Sequence, residues 1–535
     1  MSFQIYISGQ HKVRSHCVFP WLLLLTTKTM MDSAFSTCFF FFFSFYIFTL
    51  AANANQADVL LRMMRSKWPP AAQQDSLFRL SNSSKELPAV YVAPQHGLKD
   101  LDKIDRLPGQ PEGQSINQYA GYVTVDHHNG RALFYYFVES PEDQAKKPLV
   151  LWLNGGDRHH YHALRCFPRS IDILRCAGPG CSSLGYGAME ELGPFRVNSD
   201  GKTLRENDHS WIDVANIIFL ESPAGVGFSY SNTTSDYRSN GDRRTAEDSY
   251  TFLVNWLERF QEYKSHDFFI TGESYGGHYV PQLASLILRN NMKMNQSTIN
   301  LKGIAIGNAY IDRNINEIEM YEFLWAHAMF SDDTHKLIQK QCNGSDTFSL
   351  ECQDAMFQAR RETGEINLYN VYAPRCSAWA RENEEYDPCD DDYVRSYLND
   401  EKVQKALHAV PTGWGHCSSM VWTDTTVSML AMIKKLSTRG LRVWLYSGDI
   451  DAVVPVTSTK ASLNMLDLPI RRAWLPWYID HEVGGYVVEY KGITFVTVRG
   501  AGHEVPSYQP ESSLAMITAF LQGTSLPPKK GKRMF

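Results

Sequence analysis

The chain has 535 residues, is 44% hydrophobic and 21% charged, and carries a formal net charge of −6. That is ordinary globular composition with ample length for a large core, and it excludes the basic footprint of a nucleic-acid binder. The length allows two or three domains, or one large α/β unit with an inserted lid.

Two apolar runs open the chain, VFPWLLLL at 18–25 and CFFFFFSFYIFTLAA at 38–52. The second is short for a membrane span and leads into Ala52-Asn53-Ala54, the small-x-small form that signal peptidase accepts. Residues 1–54 therefore read as a leader, with 38–54 as a signal peptide started from Met30 or Met31. That start places no Lys or Arg ahead of the apolar run. A start at Met1 supplies Lys12 and Arg14 but leaves two apolar runs to explain. An uncleaved anchor is the rival reading. A signal peptide predicts the secretory pathway, with an extracellular or vacuolar destination and no stable membrane partner.

Cysteine usage agrees. Of ten cysteines, Cys17 and Cys38 would leave with the leader, and Cys166 and Cys176 lie in an unusual stretch discussed below. Cys181, Cys342, Cys352, Cys376, Cys389 and Cys417 remain, an even number that suggests three disulfides in an exported protein. Sequons at Asn82, Asn232, Asn295 and Asn343 fit glycosylated surface loops.

Residues 55–115 are polar and proline-bearing and read as an N-terminal arm or pro-region. YAGYVTVD and RALFYYFVES then look like paired strands around the turn HHNG. Six apolar runs follow: PLVLWLN, NIIFLES, DFFITG, KGIAIGN, RVWLYSG and ITFVTVRG. They are continuous rather than alternating, as in strands buried on both faces. TAEDSYTFLVNWLERFQEY and HYVPQLASLILRN carry helical periodicity between them. Alternating strands and helices predict an α/β fold, with a central, mostly parallel sheet and helices on both faces. The core is expected over 116–309 and 426–523. Polar, cysteine-bearing 310–425 reads as an inserted cap, and 524–535 as a basic, solvated tail ending in KKGKRMF.

Gly272-Glu273-Ser274-Tyr275-Gly276 is a G-x-S-x-G motif set between an apolar strand and a helical pattern. This is the setting of a nucleophile elbow, which lifts Ser274 clear of the sheet and aims helix N–H groups at developing negative charge. A serine needs a base. His503 follows the last apolar run directly after Gly-Ala-Gly, and Asp449 and Asp451 follow the run before it, in the order Ser, acid, His. Asp451 is preferred because Gly448-x-x-Asp451 reaches into the loop; Asp449 stays open as the alternative.

GESYGGHYVP, ESPAGVGFSYSNT, YSGDIDAVVP and RGAGHEVPSYQP together make residues 85–523 resemble the serine carboxypeptidase family, most closely its plant-type branch. The resemblance implies an α/β-hydrolase fold with a cap inserted before the acid, an acid pH optimum and release of C-terminal residues. It assigns Ser274, Asp451 and His503 to the triad, and the N–H groups of Gly156 and Tyr275 to an oxyanion hole. It also gives Asn154, Glu191 and Glu273 the substrate's terminal carboxylate, and pairs Cys181–Cys417, Cys342–Cys352 and Cys376–Cys389. Peptide or protein C-termini would be the substrates. No metal or organic cofactor is expected, and homodimerisation is left open.

The family's W-L-N-G-G-P-G-C-S-S is interrupted here. Trp152-Leu153-Asn154-Gly155-Gly156 matches its first half and Pro179-Gly180-Cys181-Ser182-Ser183 its second, with residues 157–178 between them. A retained intron or alternative splice choice would account for the insert. A zinc site from His159, His160, His162, Cys166 and Cys176 is the other reading, although their spacings are not those of a finger. An insert beside Gly156 could displace an oxyanion donor, so a catalytically impaired protein is one alternative function. An acyltransferase of the same fold using glucose esters is another; acyltransferase relatives tend to carry Asp before the nucleophile, so Glu273 favours the peptidase.

Overall fold

The computed structural model describes residues 90–113, 116–156, 179–294, 298–342, 349–376, 386–418 and 420–529, all within one compact unit, Ser84–Phe535. The leader, the sequons at Asn82, Asn295 and Asn343, the insert 157–178 with its His and Cys residues, and the end of the basic tail lie outside the described residues. Asn232 is described and exposed.

The chain builds a 12-stranded sheet. Its centre is parallel, in the order Asn216–Leu220, Leu149–Leu153, Phe268–Glu273, Leu301–Gly307, Arg442–Gly448, Ile493–Val498. These are the six continuous apolar runs, and each is buried along most of its length. Antiparallel strands flank this centre. Gln118–Asp126 and Arg131–Val138 pair on one side. On the other side is a hairpin, Ile470–Ile479 with Glu482–Tyr490.

Successive residues of a central strand feed opposite apolar layers, as a period of two requires. Ile304 and Ile306 join Leu253, Trp256, Leu283 and Ile433, from helices Asp242–Arg259, Gly276–Lys293 and Leu430–Ser437. Ala305 faces the other way, joining Leu184 and Met189 of a π-helix, Ser183–Glu191, and Met516 and Phe520 of helix Pro510–Gln522. Leu149–Leu153 is flanked by Asn216–Leu220 on one side and Phe268–Glu273 on the other, a switch point whose crevice opens at the strands' carboxyl ends.

The N-terminal arm is folded well before residue 116. Leu98–Asp102 is a helix, and Asp102 forms a buried ion pair with Arg259 while accepting a 2.6 Å hydrogen bond from Tyr135. Between Gly307 and Arg442 the described residues form helices without a named strand. Arg313–Ala326, Asp332–Gln341 and Leu350–Thr363 share an apolar cluster around Phe323, Cys352 and Met356. Farther along, Val394, Tyr397, Leu398 and Trp414 join the layer packed on the sheet. The region read as a cap is thus partly an independent layer and partly a wall of the main core.

Candidate active site

The strand Phe268–Glu273 ends at Ser274, and a helix starts at Gly276. Ser274 holds φ 58°, a left-handed conformation uncommon for a non-glycine residue. Its N–H donates to the Gly307 carbonyl at 3.0 Å, and its own carbonyl accepts from Gly277 and Tyr310 N–H groups, each at 2.9 Å. Three backbone bonds thus hold the strained turn.

His503 and Asp451 meet at 2.7 Å, Nδ1 to Oδ2, and both side chains are buried. Asp451 also accepts from the N–H groups of Val453 and Val454 at 2.7 and 3.1 Å, and from Asn308 Nδ2 at 2.7 Å. These donors fix the orientation of the carboxylate toward the imidazole. Asp449, the alternative acid, turns elsewhere: its Oδ1 accepts from Gly500 N–H at 2.7 Å and ties the two loops together. Tyr369, from the inserted region, steadies the histidine. Its carbonyl accepts from His503 N–H at 2.7 Å, and its ring meets the imidazole edge-on at 4.6 Å. With Nδ1 engaged by Asp451, Nε2 carries the free lone pair. That atom and Ser274 Oγ are both buried without a hydrogen-bond partner.

Gly155 rests directly on the elbow. A Cβ there would stand 2.1 Å from Tyr275 N, so only glycine fits. Among the described residues neither Gly156 N–H nor Tyr275 N–H donates to a backbone carbonyl. The Gly155 carbonyl accepts from Gly180 N–H at 3.0 Å and Cys181 N–H at 3.2 Å. Counted without the insert, the first of these is the i to i+3 bond of a β-turn, Gly155-Gly156-Pro179-Gly180. The flanks of 157–178 therefore close the turn that an uninterrupted sequence would make. Asn154 N–H donates to Ser183 Oγ at 3.0 Å, Ser182 N–H to the His416 carbonyl at 2.8 Å, and Ser182 Oγ to the buried Glu221. The pairs Cys181–Cys417, Cys342–Cys352 and Cys376–Cys389 are joined as disulfides.

Beside the elbow, Asn154 Nδ2 donates to Glu191 at 3.0 Å and to Glu273 at 2.9 Å, while Asn154 Oδ1 accepts from Trp152 Nε1 at 2.6 Å. That last bond fixes which way the amide faces. Burial pushes Glu191 up to about 7. Burial first, and then the neighbouring Glu191 charge, raises Glu273 well above the usual carboxyl range. At acid pH the pair retains a proton that can be donated.

The sequence did not point to a second buried group, Glu190, Asp391 and His416, whose ligand atoms lie within 4.8 Å of one another. His416 Nε2 is 2.8 Å from Glu190 and 3.8 Å from Asp391, an imidazole–carboxylate arrangement that needs no ion to account for it. Nor did it point to Asn308 or Tyr369, which hold Asp451 and His503 from positions far away in the chain. Such partners leave no local signal.

The parallel centre, the strained serine at the end of the strand Phe268–Glu273, and a histidine–aspartate pair at the same rim define an α/β-hydrolase with a serine at its strand–helix elbow. The chain matches the serine carboxypeptidase family over residues 108–157 and 177–523, the break falling within the insert. It is 47% identical over 496 residues to serine carboxypeptidase-like 40 of Arabidopsis thaliana, covering 89% of this chain and 93% of that protein. It is 44% identical over 458 residues to serine carboxypeptidase 24 of the same plant, covering 80% of this chain and 94% of the relative. The crystal structure of Kex1(delta)p, a prohormone-processing carboxypeptidase from Saccharomyces cerevisiae, superposes with a TM-score of 0.65 at 22% identity, covering 81% of this chain and 97% of that one. The chain belongs to the serine carboxypeptidase family, and its enzyme class is serine-type carboxypeptidase, a hydrolase.

Proposed function

We propose that this protein removes C-terminal residues from peptides at acid pH, in the secretory pathway with an extracellular or vacuolar destination. Ser274, His503 and Asp451 are its triad. Ser274 Oγ attacks the last peptide carbonyl as His503 Nε2 takes its proton. Asp451 fixes the tautomer and stabilises the imidazolium. The N–H groups of Tyr275 and Gly156 receive the oxyanion. The tetrahedral centre collapses as His503 returns the proton to the leaving amine. The C-terminal amino acid departs, and water, activated by the same imidazole, hydrolyses the acyl-enzyme.

The observation that carries the exopeptidase reading is the buried trio Asn154, Glu191 and Glu273 beside the nucleophile. An endopeptidase has no need of a protonated carboxyl pair there. A neutral carboxyl donates to a substrate carboxylate; an ionised one repels it. KM should therefore rise with pH through about 7, the value for Glu191, before kcat fails. The test compares a blocked dipeptide as free acid and as C-terminal amide at pH 5 and pH 8, with fluorophosphonate labelling of Ser274. Equal KM for the free acid at the two pH values would sink the reading. Transfer from a glucose ester without peptide hydrolysis would favour the acyltransferase instead.

A further inference from the structure

The strand ends form a row. Leu153 pairs with Gly272, so Asn154 follows beside Glu273; Glu273 pairs with Gly307, and Gly307 with Tyr446. All four belong to one face of the sheet, the face on which Trp152, Phe269, Ala305 and Trp444 pack. Gly307 leaves that row open. A Cβ at 307 would lie 2.4 Å from the Tyr446 ring and 2.7 Å from its hydroxyl oxygen. The tyrosine therefore lies over Gly307, in the lane leading to Glu273. Tyr446 is 1% exposed, and its hydroxyl has no hydrogen-bond partner.

We propose that Tyr446 is a positioning residue for the carboxylate-binding pair: its hydroxyl donates to Glu273 as the pair ionises, and so sets the pH at which the shared proton is lost. The proposal rests on the reading that Glu191 and Glu273 bind a terminal carboxylate.

The surrounding groups leave this role open. Both Asn154 N–H groups are engaged, one by each glutamate. Arg196, from strand Phe195–Val197, and His503 act on Glu191 by charge and favour its ionised form. Glu504, from the histidine loop, acts on Glu273 in the opposite sense. Tyr446 adds a neutral donor. Burial, and then the charges of Glu273 and Glu191, hold its phenol well above the normal value, so it keeps its proton wherever the pair titrates. A donor to the ionised carboxylate favours that form and lowers the pH of proton loss.

Tyr446→Phe keeps the ring over Gly307 and removes the donor. KM and kcat of wild type and Y446F would be measured from about pH 4.5 to about pH 8.5 on a blocked dipeptide free acid. The inflection in KM should move up by roughly half to one pH unit in the variant, with kcat below the inflection unchanged. Equal melting midpoints would show that the comparison reports the proton and not the fold. A wild-type inflection that stays put or moves down in Y446F overturns the role of Tyr446 alone. A wild type that treats free acid and amide alike overturns the carboxylate reading, and this proposal with it.

Discussion

At the scale of single residues, the residue after the proposed nucleophile is held by a neighbour the sequence does not advertise. Asp242 is 1% exposed and accepts hydrogen bonds from Tyr275 OH and Trp422 Nε1 at 2.9 Å, Gln282 Nε2 at 3.0 Å and His278 Nδ1 at 3.2 Å. The Tyr275 ring stacks on His278 at 4.5 Å. Because Tyr275 N–H is the proposed oxyanion donor, its side chain acts as an anchor for that backbone group. Tyr275→Phe should lower kcat about tenfold with little change in KM, less than the ~10²–10³ expected when a whole donor is lost. A change in KM alone would refute the anchor. Glu191→Gln tests the pair directly. An amide cannot lose its donor, so the rise of KM between pH 5 and pH 8 should flatten in steady-state assays. The elbow serine and the two strand-end loops that carry Asp451 and His503 were legible in the sequence because such loops can be read one at a time. Asp451 and Asp449 could be separated only by where each carboxylate turns, and Asp242 and Tyr369 only by tertiary contact.

At the scale of elements, the broken loop is the informative case. The turn across residues 155 and 180 is closed, its outer arm is bonded to Cys417, and the elbow lies beneath it. Deleting 157–178 joins Gly156 to Pro179 and leaves every one of these described contacts available. The shortened protein should secrete, form its disulfides and label with fluorophosphonate at least as fast as the full chain. A misfolded or unlabelled product would show that the two halves are not one loop. The Cys181–Cys417 bond spans 236 residues, and replacing both cysteines by serine should cost about 2–5 kcal/mol in denaturant unfolding, while also lowering kcat through the loosened oxyanion arm. The six central strands were legible because burial on both faces writes a continuous apolar run. The Ile470–Ile479 strand was not: seven of its ten residues are exposed, and it carries Arg471 and Arg472 in place of an apolar pattern. The π-helix Ser183–Glu191 was hidden by Gly185 and Gly187, which read as loop. Gly187 sits where a Cβ would meet the Trp152 ring at 2.4 Å, so packing rather than helix propensity chose it.

At the scale of the whole molecule, buried carboxyls tie stability and recognition to the same pH range. Burial pushes both Glu191 and Glu221 up to about 7, and raises Glu190 and Glu273 well above the usual range. For such groups the folded state binds protons that the unfolded chain has already released. Their contribution is fully present below the unfolded value of about 4.5 and is lost as pH rises through the folded value. Glu191 and Glu221, at 1% and 0% exposure, would both withdraw stability between those limits. Asp242, held below its usual value against the pull of burial by hydrogen bonds that begin with His278, works in the other direction and limits stability only in stronger acid. Thermal melts should therefore peak near pH 5 and fall by several degrees by pH 8. Glu221→Gln separates the two consequences. Glu221 braces the proposed oxyanion loop through Ser182 and is not one of the paired carboxyls, so this variant should flatten the pH dependence of the melt and leave the KM inflection in place. Glu191→Gln should flatten both, and an E221Q protein whose KM inflection also disappears would mean that the substrate's carboxylate is read by the whole buried acid network and not by one pair.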